Sequence, residues 1–123
     1  MKNILLVGLG GFFGAVSRLL LATSMQKIVG GTFPFGVWAV NLLGSLALGY
    51  IAGHAAAKGN VSETLVLLIS IGFIGAFTTF STVTVDTLHL LRSGHYALAA
   101  LNAFGQLVLG IGAAGLGFYL GQR

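Results

Sequence analysis

No cysteine occurs among the 123 residues, so disulfides, thiolate metal sites and thiol nucleophiles are excluded. There is one proline, Pro34, which leaves little to interrupt long helices. Acidic side chains number two, Glu63 and Asp86, and no catalytic dyad or nucleotide-binding loop can be assembled from the motifs present. The three histidines, His54, His89 and His95, are scattered one per link region rather than gathered for a metal. Charged residues of both signs make up 7% of the chain, where a soluble domain carries about 25%. An ordinary soluble domain and an enzyme built on ionisable groups are both disfavoured.

What the chain has instead is length without charge. Positions 28 to 57, 64 to 85 and 93 to 122 contain no Lys, Arg, Asp or Glu, and positions 3 to 26 contain only Arg18. Roughly 20 apolar residues cross a bilayer core. The pattern predicts an all-α membrane protein with four transmembrane helices in a single domain over residues 1–123. Met-Lys-Asn followed by Ile4 to Leu9 has the look of a signal peptide, but the glycine-rich continuation and the lack of a polar domain after it predict a retained first helix. The formal charge of +4 and pI near 10.0 come from few residues, which suits loops facing anionic lipid headgroups and not a nucleic-acid surface.

Charge placement carries a further expectation. With the N-terminus on one side of the membrane, that side holds Lys2, Lys58 and Arg123, and the other holds Lys27 and Arg92 with Arg18 near its end of helix 1. Orientation normally follows an excess of Lys and Arg on the cytoplasmic side. Here the two sides balance, so the chain is expected to insert both ways and to pair with an oppositely inserted copy.

Helix 1 is expected from about Asn3 to Ser24, with Gly10 and Gly14 as a small-xxx-small pair for close helix approach. Arg18 lies within two turns of its end, where snorkelling, pairing with helix-end carbonyls and attracting anions at a vestibule are all open. A link from Met25 to Phe35 holds Lys27, Gly30, Gly31 and Pro34. Helix 2 is expected from about Phe35 to His54, with Trp38 at one interface. Asn41, Ser45, Gly49 and Gly53 recur every four residues and form a small, polar stripe. Ser62 is placed to cap helix 3, which runs from about Glu63 to Leu91, longer than one straight crossing needs. Asp86, His89 and Arg92 follow at spacing three and form a charge cluster toward an interface, with a proton relay through Asp86 as the alternative reading. After a short link, helix 4 runs from about Tyr96 to Leu120 with Asn102, Gln106, Gly110 and Ala114 again at spacing four. Two matching stripes serve equally as hydrogen-bond glue or as a pore wall.

The most unusual stretch is residues 72–86, Gly-Phe-Ile-Gly-Ala-Phe-Thr-Thr-Phe-Ser-Thr-Val-Thr-Val-Asp. Thr78, Thr79, Ser81, Thr82 and Thr84 put five hydroxyls within seven positions around Phe80, and Gly72 and Gly75 precede them. Such residues predict a break in helix 3, because glycine unwinds at low cost and hydroxyls satisfy freed backbone groups. An unwound carbonyl set with a half-helix C-terminus suits a cation, and the next half-helix N-terminus attracts anions.

Across its whole length the chain resembles the Fluc fluoride-channel family, also called CrcB. The resemblance rests on Gly10-Gly11-Phe-Phe-Gly14-Ala15 with Arg18, on Phe35-Gly36 to Asn41-Leu-Leu-Gly44, and on Gly72-Phe73-Ile-Gly75 to Thr78-Thr79-Phe80-Ser81-Thr82. It implies a fluoride-specific channel of the plasma (inner) membrane that exports fluoride passively and protects against its toxicity, built as an antiparallel dual-topology homodimer. It further implies a structural sodium ion on the main-chain carbonyls of Gly75 and Thr78. The implied fluoride pathway takes in Asn41, Phe80, Ser81, Thr82, Val83 and Gln106, with Arg18 matching the arginine of the family motif. Fluoride holds water strongly, so donors such as amides, hydroxyls and aromatic ring edges must replace that water. Two departures stand out: Val83 sits where the family usually carries a second phenylalanine, and Gly110 where it often carries serine. Val83 removes a ring edge, which leaves reduced throughput, a different partner subunit or an engineered substitution as readings. A small multidrug-resistance-type proton-coupled transporter is the alternative, yet it needs a carboxylate in helix 1, and none is there.

Overall fold

The computed structural model describes residues 1–123, and every regular element in it is helical. Four helices are long and apolar enough to cross a membrane: α1 (Lys2–Val29), α2 (Phe35–Lys58), α3 (Glu63–Arg92) and α4 (Tyr96–Gly121). Only 17 of 123 residues are buried, and Ile4, Leu19, Leu107 and Ile111 are among many large apolar side chains left outside. A surface of that kind is stable against acyl chains rather than water.

Two helices outrun their expected ends. α1 continues past Ser24 to Val29 because nothing from Met25 to Val29 stops it; the stop is Gly30 and Gly31, whose φ of 70° and 78° lie in the left-handed region. Gln26 then ties the link back onto α1. Its Nε2 donates to the carbonyls of Gly31 and Phe33, both at 3.1 Å, and its Oε1 accepts from the Gly36 amide at 3.3 Å. α2 likewise runs through Ala55-Ala56-Ala57, strong helix formers, and ends at Gly59 in the αL conformation. Ser62 caps α3 as expected, its Oγ accepting from the Leu65 amide at 3.2 Å.

α3 is not one regular helix. Val66–Ile74 is wound as a π-helix, Gly75–Phe77 adds a short turn, and Thr78 (ψ 161°) and Thr79 (φ −152°, ψ 123°) are extended before helix resumes over Phe80–Arg92. The Thr79 hydroxyl caps the resumed part by accepting from the Thr82 amide at 3.3 Å.

Glycines set how closely the helices approach. A Cβ on Gly10 would sit 2.0 Å from the Leu68 carbonyl oxygen and one on Gly14 2.1 Å from that of Phe73, so the expected small-xxx-small pair seats α1 directly against the backbone of α3. On α2, Gly49 and Gly53 do the same against the carbonyls of Ala114 and Phe118 in α4. The pairing climbs both chains together at an offset of 65 residues, the separation of Asn41 and Gln106, so α2 and α4 run parallel with their two stripes face to face. Gly117 and Gly121 return the contact against Leu46 and Tyr50, whereas Gly112 and Gly115 face open space.

Candidate functional site

Above the glycine-packed half of the α2–α4 seam the helices separate. They leave a groove of about 450 Å³ closed on its third side by the irregular middle of α3. Asn41, Thr78, Phe80, Val83 and Gln106 line it, as do Ser45 and Gly110. No ionisable side chain is among its lining residues. Its polar character therefore comes from neutral amides and hydroxyls, which bind an anion more weakly than a fixed cation does.

Asn41 holds the groove's shape. Its Oδ1 accepts from the Thr79 amide at 2.8 Å, and its Nδ2 donates to the Thr79 carbonyl at 3.0 Å and to Gln106 Oε1 at 2.8 Å. One side chain thus satisfies both backbone groups of an extended residue at membrane depth, where an unpaired group costs several kcal/mol. Both Nδ2 hydrogens have protein acceptors. Of the two uses open from the sequence, these contacts show the hydrogen-bond glue, in a residue that also lines the groove.

Asn102 anchors the other end of the network. It is fully buried, donates from Nδ2 to the Val83 carbonyl at 3.2 Å and to Thr87 Oγ1 at 2.9 Å, and accepts at Oδ1 from Trp38 Nε1 at 2.8 Å and Gln106 Nε2 at 3.4 Å. Trp38, expected near an interface, lies in the first turn of α2 and commits its ring nitrogen to this contact. Gln106 consequently spans Asn41 and Asn102, and one of its two Nε2 hydrogens has no protein acceptor.

The remaining sequence-derived residues divide into three groups. Phe80 lines the groove, yet its ring is 81% exposed on a single chain. Val83 also lines it but is only 8% exposed. Ser81 is exposed and Thr82 half-buried, both outside the groove lining, and their hydroxyls lie 3.3 Å and 3.0 Å from Thr79 Oγ1. Arg18 is half-buried on α1, away from the groove. Trp38, Asn102 and Ser45 were not singled out as site residues. The stripe periodicity carried Ser45 and Asn102, but nothing in the sequence marked Trp38 as the partner of Asn102.

Gly75 and Thr78, the positions implied for sodium, can be tested against the backbone. In a continuous helix the Gly75 carbonyl would accept from the Thr79 amide and the Thr78 carbonyl from the Thr82 amide. Here Thr79 donates to Asn41 and Thr82 to the Thr79 hydroxyl. Both carbonyls are released from those helical partners, and Gly75 is exposed, so the donor set fits a hard monovalent cation. One chain supplies only this pair of oxygens.

Residues 5–118 match the family described as "CrcB-like protein, Camphor Resistance (CrcB)". A protein named "Fluoride-specific ion channel FluC" from Nitratidesulfovibrio vulgaris is 40% identical over 122 residues, covering 99% of this chain and 98% of that one. Namesakes from Oceanobacillus iheyensis and Shewanella baltica are 42% and 43% identical over 123 residues, which is all of this chain and 91% and 95% of theirs. A match across nearly the full length of both partners, carried on a four-helix membrane fold, leaves one assignment: the chain belongs to the CrcB-like family.

Proposed function

We propose that this chain is one subunit of a fluoride-specific channel, a single four-helix domain that lets fluoride leave the cell down its gradient across the plasma (inner) membrane. The observation that carries this reading is the uncharged groove at membrane depth, lined by Asn41, Phe80 and Gln106 and closed by the extended Thr78–Thr79 pair. A small anion entering it exchanges water for hydrogen-bond donors and the positive edge of an aromatic ring. With no guanidinium or ammonium in the lining, the ion is not trapped. Proton-coupled export of organic cations would need a membrane-embedded carboxylate, and the groove lining includes none.

The functional unit in this proposal is an antiparallel dimer of two copies. Gly75, Phe80 and Ser81 are exposed on one chain in the middle of a membrane span, beside extended backbone. Irregular backbone at that depth is tolerated where protein or a water-filled cavity covers it, not lipid. A second copy in the opposite orientation covers the break and presents its own Phe80 to the first copy's groove. The Gly75 and Thr78 carbonyls of the two copies would together hold a structural sodium ion, which when bound would tie the two breaks together. The residues of the chain then do the rest: Asn41 keeps Thr79 extended, Gln106 offers a donor, and Phe80 offers a ring edge.

Two measurements test the proposal. Liposomes containing the purified protein are expected to release loaded fluoride, and protein-free liposomes to retain it. Tags on one terminus are expected to map to both sides of the membrane in cells; a single orientation would refute the antiparallel pairing.

A further inference from the structure

Four threonine hydroxyls of the chain donate to a nearby carbonyl. Thr23, Thr78 and Thr87 bond the carbonyl four residues back, at 2.6, 3.0 and 2.7 Å, and Thr84 the one three back at 2.8 Å. That habit is expected where no water competes. Ser45 departs from it, as do Ser17, Ser24, Thr64 and Ser70, and of these five only Ser45 lines the groove. It stands at the middle of α2, half-buried, lining the groove one turn beyond Asn41, and its hydroxyl has no partner within the chain. Its Oγ faces Gly110 across the groove: a Cβ built on Gly110 would lie 3.8 Å away in ordinary contact. Gln106, one turn before Gly110 on the same wall, holds the spare amide hydrogen.

We infer that Ser45 is a fluoride-coordinating residue: its hydroxyl receives the ion from Gln106 about one helical turn, roughly 6 Å, further along the groove. The inference rests on the fluoride-channel reading above and deepens it. Asn41, the obvious donor from the sequence, has both amide hydrogens committed to Thr79 and Gln106, so it positions and does not donate. Ser45 has a hydrogen available and a rotatable one. A hydroxyl can swing to follow a passing ion, and a short O–H donor suits a small, strongly hydrated anion better than a larger one. Because Gly110 carries no side chain, α4 supplies nothing at this level and Ser45 is the groove's donor there.

The test compares fluoride efflux from liposomes for the unaltered protein, Ser45→Ala and Ser45→Ala/Gly110→Ser, together with their unfolding midpoints in detergent. Ser45→Ala removes no internal hydrogen bond, so its midpoint should be unchanged while efflux falls about tenfold, the scale of one hydrogen bond to a charged group. Gly110→Ser, placing a hydroxyl on the facing wall, should restore efflux to within about threefold of the starting rate. Unchanged efflux in Ser45→Ala, a fall matched by lost stability, or a fall that Gly110→Ser leaves in place would each overturn the assignment. If the unaltered protein releases no fluoride, the channel reading itself fails, a result distinct from all three.

Discussion

Replacing Asn102 with leucine tests the network that holds the groove. Asn102 is fully buried and makes four hydrogen bonds, to Trp38, Gln106, Thr87 and the Val83 carbonyl. Leucine has the same branched heavy-atom skeleton with bulkier methyl tips, so the change removes polarity and opens no cavity. Interhelical hydrogen bonds in membranes average about 0.6 kcal/mol, which puts the three that leave α4, to Trp38, Thr87 and the Val83 carbonyl, at about 2 kcal/mol together. The Val83 carbonyl keeps the Thr87 hydroxyl at 2.7 Å, but the Trp38 ring nitrogen is left with an unpaired hydrogen, and stranding a buried donor adds about 1–3 kcal/mol. A loss of about 3–5 kcal/mol is expected on reversible unfolding in mixed detergent micelles. Trp38 is the chain's one tryptophan, so its fluorescence reports the bond without a label. Asn102→Leu should shift its emission, and adding Trp38→Phe should recover part of the lost stability because the stranded donor is gone. A loss below about 0.5 kcal/mol with unchanged emission would refute the reasoning.

Gly53→Val is expected to abolish folding or cost at least about 3 kcal/mol, because a Cβ there would lie 2.0 Å from the Phe118 carbonyl oxygen; Gly112→Ala, with nothing within 4 Å, should be neutral or stabilise by up to about 1 kcal/mol in the same detergent titration. Val83→Phe should preserve or raise fluoride flux, since the side chain borders the groove and a ring there adds an aromatic edge; complete loss of flux would count against assigning Val83 to the pathway.

How much of this was legible from residues alone follows the physics of each feature. The four helices were, because a bilayer forbids charge over a long run and the runs free of Lys, Arg, Asp and Glu are unmistakable. Gly10 and Gly14 were as well, since only a missing side chain allows the approach that α1 makes to Leu68 and Phe73. The ends of α1 and α2 were misplaced by several residues. The sequence places the first link from Met25 and the end of helix 2 at His54, while the backbone stays helical up to the left-handed glycines 30 and 59. Both polar stripes were visible as spacing, but periodicity fixes a face and not a register. It could not show that Asn102 would meet Trp38 while Asn41 met Gln106 and Thr79. The π-helical winding of Val66–Ile74 left no mark in an ordinary apolar run. The commitment of both Asn41 hydrogens was equally hidden, because it depends on where Thr79 turns its backbone.

The central claim is that the neutral groove of Asn41, Phe80 and Gln106 passes fluoride and refuses chloride. The most direct measurement is efflux of each ion, in parallel, from liposomes holding the purified protein, read with ion-selective electrodes. The account predicts rapid fluoride release with chloride retained at the protein-free rate. Retention of both ions, or release of both at similar rates, would contradict it.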